Sequence, residues 1–116
     1  MKNKLVSLPE SMGGLSNLRK LDMENNSLAS LPDSIAHLSN LTDLNLRNNK
    51  LAKLPENMGV MKSLRFLDLR ANKLTSLPES FADLSNLEKL DLRCNKISPL
   101  PKWIQNLKQR RCVVYV

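Results

Sequence analysis

The chain has 116 residues, 41 % hydrophobic and 25 % charged, with 18 basic and 11 acidic side chains and a formal charge of +7. That composition suits one soluble folded domain rather than a disordered tail. No run approaches the ~18 consecutive apolar residues of a membrane span, and a single histidine excludes a histidine pair for a metal. With only 3 % aromatic residues, the core has to be built from leucine.

The first stretch, residues 1–17, reads as an incomplete unit of a repeat. It has Leu5 and Val6 as an apolar pair, too short for a secretory signal of about 7 to 15 apolar residues. The expected compartment is therefore the cytoplasm, and the sequons at Asn25 and Asn40 read as chance matches. Asn3, Leu5, Leu8, Pro9 and Met12 each open a column that returns every 23 residues. Prolines recur at Pro32, Pro55, Pro78 and Pro101, and asparagines at Asn26, Asn49, Asn72 and Asn95. Further units start near residues 18, 41, 64 and 87, all within one domain of residues 1–116. Such self-similarity decides the fold before any local propensity does.

In the first complete unit, residues 20–24 alternate with period two, so Leu21 and Met23 point one way and Lys20, Asp22 and Glu24 the other. The same strand is predicted at residues 43–47, 66–70 and 89–93. Strands joined by long connections run parallel, side by side, about 4.8 Å apart. On the return path, Pro32 and its equivalents suit the first turn of a short helix. Glu10, Asp33, Glu56 and Glu79 follow them, where a helix N-terminus favours negative charge. Gly13, Ala36, Gly59 and Ala82 supply a small residue where neighbouring returns crowd. The asparagines stand where each strand ends; a side-chain amide donates and accepts at once and can satisfy backbone groups left unpaired there.

The last unit departs from the pattern. Lys102 replaces the acid, Gln105 the small residue, and Arg110 the leucine found at positions 18, 41, 64 and 87. Kept in the 23-residue step, the strand at 112–116 sets Cys112 beside Lys89, turns Val113 and Tyr115 inward and leaves Val114 and Val116 outward. No separate cap closes either end, and two readings stay open: an excerpt or short repeat protein with a degenerate last unit, or an apolar edge that self-associates.

The unit LxxLxLxxNxLxxLPxxIxxL resembles the leucine-rich repeat family. Its LxxLPxxI half is similar to an intracellular subclass that includes Ras-binding scaffolds, plant intracellular Ras-group repeats and many bacterial repeat proteins. The resemblance implies an α/β solenoid, a horseshoe with parallel strands on the concave face and short helices or 3-10 turns on the convex face. It also implies a protein partner held on the concave face, a small GTPase or another signalling protein among the candidates. The alternatives are a structural segment of a longer solenoid and the recognition domain of a larger signalling protein or ubiquitin ligase.

The residues offer little for catalysis, and no cofactor or metal is expected. Cys94 and Cys112 fall too far apart for an internal bridge, so both read as free thiols of a reducing compartment. His37 occupies a variable surface position. Asp22, Asp68 and Asp91 form a carboxylate column, with Arg47, Arg70 and Arg93 close enough to pair with it. The outward strand positions carry five positive and five negative charges, which argues against a nucleic-acid groove. Lys4, Lys50, Lys73 and Lys96 form a ridge past the asparagines, read as a solvated face. Phe66 is a large apolar residue where other units carry Lys20, Asp43 and Lys89; it either covers its neighbours' stems or anchors a partner. The candidate partner-binding residues are Asp43, Arg47, Phe66, Asp68, Arg70, Lys89, Asp91 and Arg93. Substituting Phe66 or Arg70 is expected to abolish capture while leaving melting nearly unchanged.

Overall fold

The computed structural model describes residues 4–116; Asn3, first of the asparagine column, lies outside the described residues. Five three-residue strands, β1 (Lys20–Asp22), β2 (Asp43–Asn45), β3 (Phe66–Asp68), β4 (Lys89–Asp91) and β5 (Val113–Tyr115), form one parallel sheet in chain order. A 3-10 helix at Glu10–Gly14 precedes β1, and between the strands run 3-10 helices at Asp33–His37, Met58–Val60 and Glu79–Asp83 and one α-helix, α1 (Trp103–Gln109). The leucine-rich repeat solenoid expected from the sequence is the observed architecture.

Strands β1 to β4 are shorter than the five-residue alternation because an Asp or Asn ends each one. The Oδ1 of Asp22, Asn45, Asp68 and Asp91 accepts the N–H two residues on, at 3.0, 3.0, 3.1 and 3.2 Å. Local capture of this kind competes with the sheet ladder. The chain then turns through a left-handed residue at Asn25, Asn48, Ala71 and Cys94, with φ between 57 and 62°. Asparagine tolerates that region, and Asn48 Nδ2 also donates to Asn25 Oδ1 at 2.7 Å. Ala71 bears the same conformation with no such side chain. Ala71→Asn is therefore expected to stabilise the fold by about 1 kcal/mol, raising Tm by roughly 4 °C or more in a thermal melt; an unchanged or lower Tm contradicts it.

The asparagine column stitches the units together as expected. Asn49 Oδ1 accepts the Leu28 N–H at 3.1 Å, and its Nδ2 donates to the Met23 and Leu46 carbonyls, both at 3.0 Å. Asn72 and Asn95 repeat the arrangement one and two units on. Below them the leucine columns form one continuous core, with Leu28, Leu41, Leu46, Leu51, Leu64, Leu69, Leu74 and Leu90 fully buried.

On the return path two expectations shift by a residue or two. Pro9, Pro32 and Pro78 stand just outside their 3-10 helices, with ψ of 137–149°, and Pro32 contributes its carbonyl to the Ile35 N–H at 3.1 Å. An extended proline serves there because its carbonyl, not its missing amide, opens the turn. Glu10, Asp33 and Glu79 lie in first turns, but Glu56 precedes its helix, which begins only at Met58. The small-residue column matters most at Gly59, whose amide donates to Ser80 Oγ at 2.9 Å.

The last strand corrects the sequence-based register. Lys89 pairs with Val113, not Cys112, a step of 24 where the earlier steps are 23. The extra residue is spent on α1, whose end runs through Cys112 N–H to the Leu107 carbonyl at 3.0 Å and a left-handed Arg111 with φ 67°. Side chains alternate along a strand, so a one-residue shift exchanges its faces. Cys112 is buried and Val114 turns toward the core, while Val113 and Tyr115 face out. Trp103 packs edge-on against Phe81 at 6.2 Å, and Arg110 donates to the Ala82 carbonyl at 3.1 Å. Both cysteines are free thiols, Cys94 exposed, and burial pushes the Cys112 thiol pKa up. Among the described residues no helix is long and apolar enough to cross a membrane.

Candidate functional site

The strand pleat and parallel register sort the outward side chains into rows across the sheet. The first row runs Lys20, Asp43, Phe66, Lys89 and Val113, and the second Asp22, Asn45, Asp68, Asp91 and Tyr115. A third follows where the strands end: Glu24, Arg47, Arg70 and Arg93. The first two rows line a shallow open depression of about 340 Å³ over β1 to β4.

The second and third rows are tied together. Arg70 grips Asp68 through Nε and Nη2, at 3.0 and 2.6 Å, and its Nε lies 3.2 Å from Asp91 Oδ2. Arg93 grips Asp91 in the same way, at 3.0 and 2.6 Å. Asp91 is only 2 % exposed. Burial alone raises its pKa, but hydrogen bonds from Arg93 and the charges of Arg93 and Arg70 outweigh this and hold it below the usual carboxylate value. Asp91 thus lies beneath the two guanidiniums and fixes them, leaving their outer edges to meet solvent. Paired donors held in place lose little freedom on meeting a carboxylate or carbonyl. Arg47 is less constrained, 3.9 Å from Glu24 and half exposed.

These ion pairs change the expected use of Arg70 as a probe. Arg70→Glu would set a third carboxylate beside Asp68 and the buried Asp91, so its effect on melting is no longer expected to be small. Phe66 carries no such structural duty. It stands 37 % exposed, with the Arg65 guanidinium 5.2 Å from its ring centroid and Arg65 itself paired with Glu88. Asp43 accepts from Thr42 Oγ1 at 2.7 Å.

All eight residues singled out from the sequence lie on this face. Tyr115 was missed because of the register error; it joins the second row, with Arg93 4.7 Å and Lys89 5.5 Å from its ring. No signal in the sequence could have found it, since Val113 and Val114 continue the inward column Leu21, Leu44, Leu67 and Leu90 equally well. His37 is exposed on the return path, away from both rows. Among the described residues no three His, Cys, Asp or Glu side chains gather as a metal site.

Comparison with known proteins follows the same lines. A family model described as "Leucine rich repeat" matches residues 1–51 and 16–74, and another, "Leucine Rich repeats (2 copies)", matches 62–108. No curated protein sequence matches significantly. Among solved structures, a leucine-rich repeat protein of Leptospira interrogans is similar at 36 % identity and TM-score 0.89, over 99 % of this chain and 29 % of its own. The ectodomain of the receptor kinase SOBIR1 from Arabidopsis thaliana is similar at 31 % identity and TM-score 0.79, over 94 % and 62 %. The TLR13 chain of a TLR13–ssRNA13 complex is similar at 29 % identity and TM-score 0.80, over 98 % and 17 %. The chain thus spans less than two thirds of each of these structures.

Proposed function

The chain belongs to the leucine-rich repeat family, and from that premise we propose that it is a non-enzymatic module whose concave face binds a protein partner. Repeats of this family are generally protein-binding modules. The observation that carries the reading here is Phe66, an exposed aromatic ring at the middle strand of a charged face whose arginines are held by Asp68 and Asp91. An apolar anchor ringed by fixed donors is the usual composition of a binding hot spot. Asp43, Arg47, Phe66, Lys89 and the outer edges of Arg70 and Arg93 make the contacts in this reading; Asp68 and Asp91 position the arginines.

The LxxLPxxI pattern supports a finer form, a signalling scaffold for a small GTPase or another signalling protein. Free thiols at Cys94 and Cys112 support a reducing, cytoplasmic setting. The TLR13 structure is a complex with single-stranded RNA, but on this face two of the three column arginines are already neutralised by aspartates. Phosphate binding favours unpaired clusters of Lys and Arg. A protein partner therefore fits the face better.

Affinity capture from a lysate tests this, with Phe66→Ala/Arg47→Ala as the altered bait. The double variant is expected to lose at least about tenfold of the captured partner, with Tm within a few degrees of wild type. A partner retained in full by a folded double variant rules the concave site out. End-to-end self-association is the second reading, favoured by exposed Leu5, Val6 and Leu15 in the first unit and Leu100 and Val116 in the last. Sedimentation across a concentration range decides it: a monomer throughout excludes it.

A further inference from the structure

The first row of the concave face has an order of charge that goes beyond general binding. Asp43, Phe66 and Lys89 are direct neighbours on β2, β3 and β4. Among the described residues neither Asp43 nor Lys89 is in an ion pair. Lys20 stands directly opposite Asp43 and two residues from Asp22 on its own strand, so these three leave one negative charge over β1 and β2. Glu24 meets Arg47, Arg70 meets Asp68, and Arg93 meets Asp91, so these pairs cancel. Lys89 then leaves one positive charge over β4, beside Tyr115. Between acid and base sits the exposed Phe66 ring.

Strand spacing of about 4.8 Å sets Asp43 and Lys89 roughly 10 Å apart. Side chains at i, i+4 and i+7 of an α-helix span about 10.5 Å along its axis. An extended peptide presents three same-face side chains over about 13 Å, which overshoots the row. The row therefore matches a helix lying across the strands.

Resting on the concave-face reading above, we propose that the row Asp43–Phe66–Lys89 recognises a helical segment of a protein partner carrying a basic, an apolar and an acidic side chain one turn apart. The basic group meets Asp43, the apolar one covers Phe66, and the acid meets Lys89.

The test uses three alanine-based helical peptides of about 15 residues, with Arg-Leu-Glu, Arg-Leu-Arg or Glu-Leu-Glu at i, i+4 and i+7. Amide resonances of the intact chain are followed by NMR during titration. The mixed peptide is expected to bind about fivefold tighter than either like-charged one, with the largest shifts at residues 43, 66 and 89. Lys89→Glu is expected to move the preference to Arg-Leu-Arg, and Asp43→Lys to Glu-Leu-Glu. Both side chains are solvent-accessible, and a melt of each variant verifies folding. Equal affinities, an unswitched preference or shifts confined to other faces would overturn the proposal. If the preference fails to switch while Phe66→Ala/Arg47→Ala still abolishes capture, the helix proposal fails and the concave site stands.

Discussion

Asn72→Ala is expected to cost about 2–3 kcal/mol of stability, a sizeable part of the 5–15 kcal/mol that a domain of this kind possesses. Asn72 is 9 % exposed. Its Oδ1 accepts the Leu51 N–H at 3.1 Å, and its Nδ2 donates to the Leu46 and Leu69 carbonyls at 2.9 and 3.1 Å. Alanine leaves the Leu51 N–H without a partner where water enters poorly, at roughly 1–3 kcal/mol, while the two carbonyls lose one donor each and keep the other, from Asn49 and Asn95. Asn26 makes the equivalent amide contact at an exposed 3.3 Å, so Asn26→Ala should cost about a third as much. Urea denaturation of both variants provides the comparison. A cost below about 1 kcal/mol at Asn72 would show that the ladder does not hold the units together.

Gly59→Val should be at least as damaging, chiefly for a reason of space. A Cβ at this position would lie 2.0 Å from the Ser80 carbonyl oxygen and 2.6 Å from its carbon and Cβ. The obstacle is backbone of the next unit, so relief requires the two returns to separate, and the Gly59–Ser80 hydrogen bond goes with them. The expected loss is about 3 kcal/mol or more. Gly14 is the control: its Cβ would meet nothing within 4 Å, so Gly14→Ala should be neutral or slightly stabilising. Equal denaturation midpoints for the two variants would refute the close-approach account.

Much of this was legible from residue spacing, and the exceptions share a cause. Columns such as Leu28, Leu51 and Leu74 or Asn49 and Asn72 recur because each stacked unit imposes the same environment, so period alone placed them. The rows of β1 to β4 followed from alternation, and Asp43, Phe66 and Lys89 fell into line as expected. Alternation cannot count a preceding loop, however. One residue taken up by α1 moved Cys112 into the core and Tyr115 onto the concave face. The burial of Asp91 was equally hidden, since Asp68 occupies the same column and remains half-buried; the joint approach of Arg70 and Arg93, and Tyr115 beside it on β5, distinguish Asp91. Glu56 looked like its counterparts, but the turn it precedes closes more loosely, with Met58 N–H reaching the Pro55 carbonyl at 3.3 Å.

The central claim is that a protein partner sits on the concave face, and photo-crosslinking from single positions tests it most directly. A benzophenone amino acid in place of Phe66 should yield a discrete protein adduct in lysate, and the same group in place of Asn57, exposed on the return path, should yield none. Adducts from position 57 with none from position 66 would contradict the account and move the interface to the other side of the solenoid.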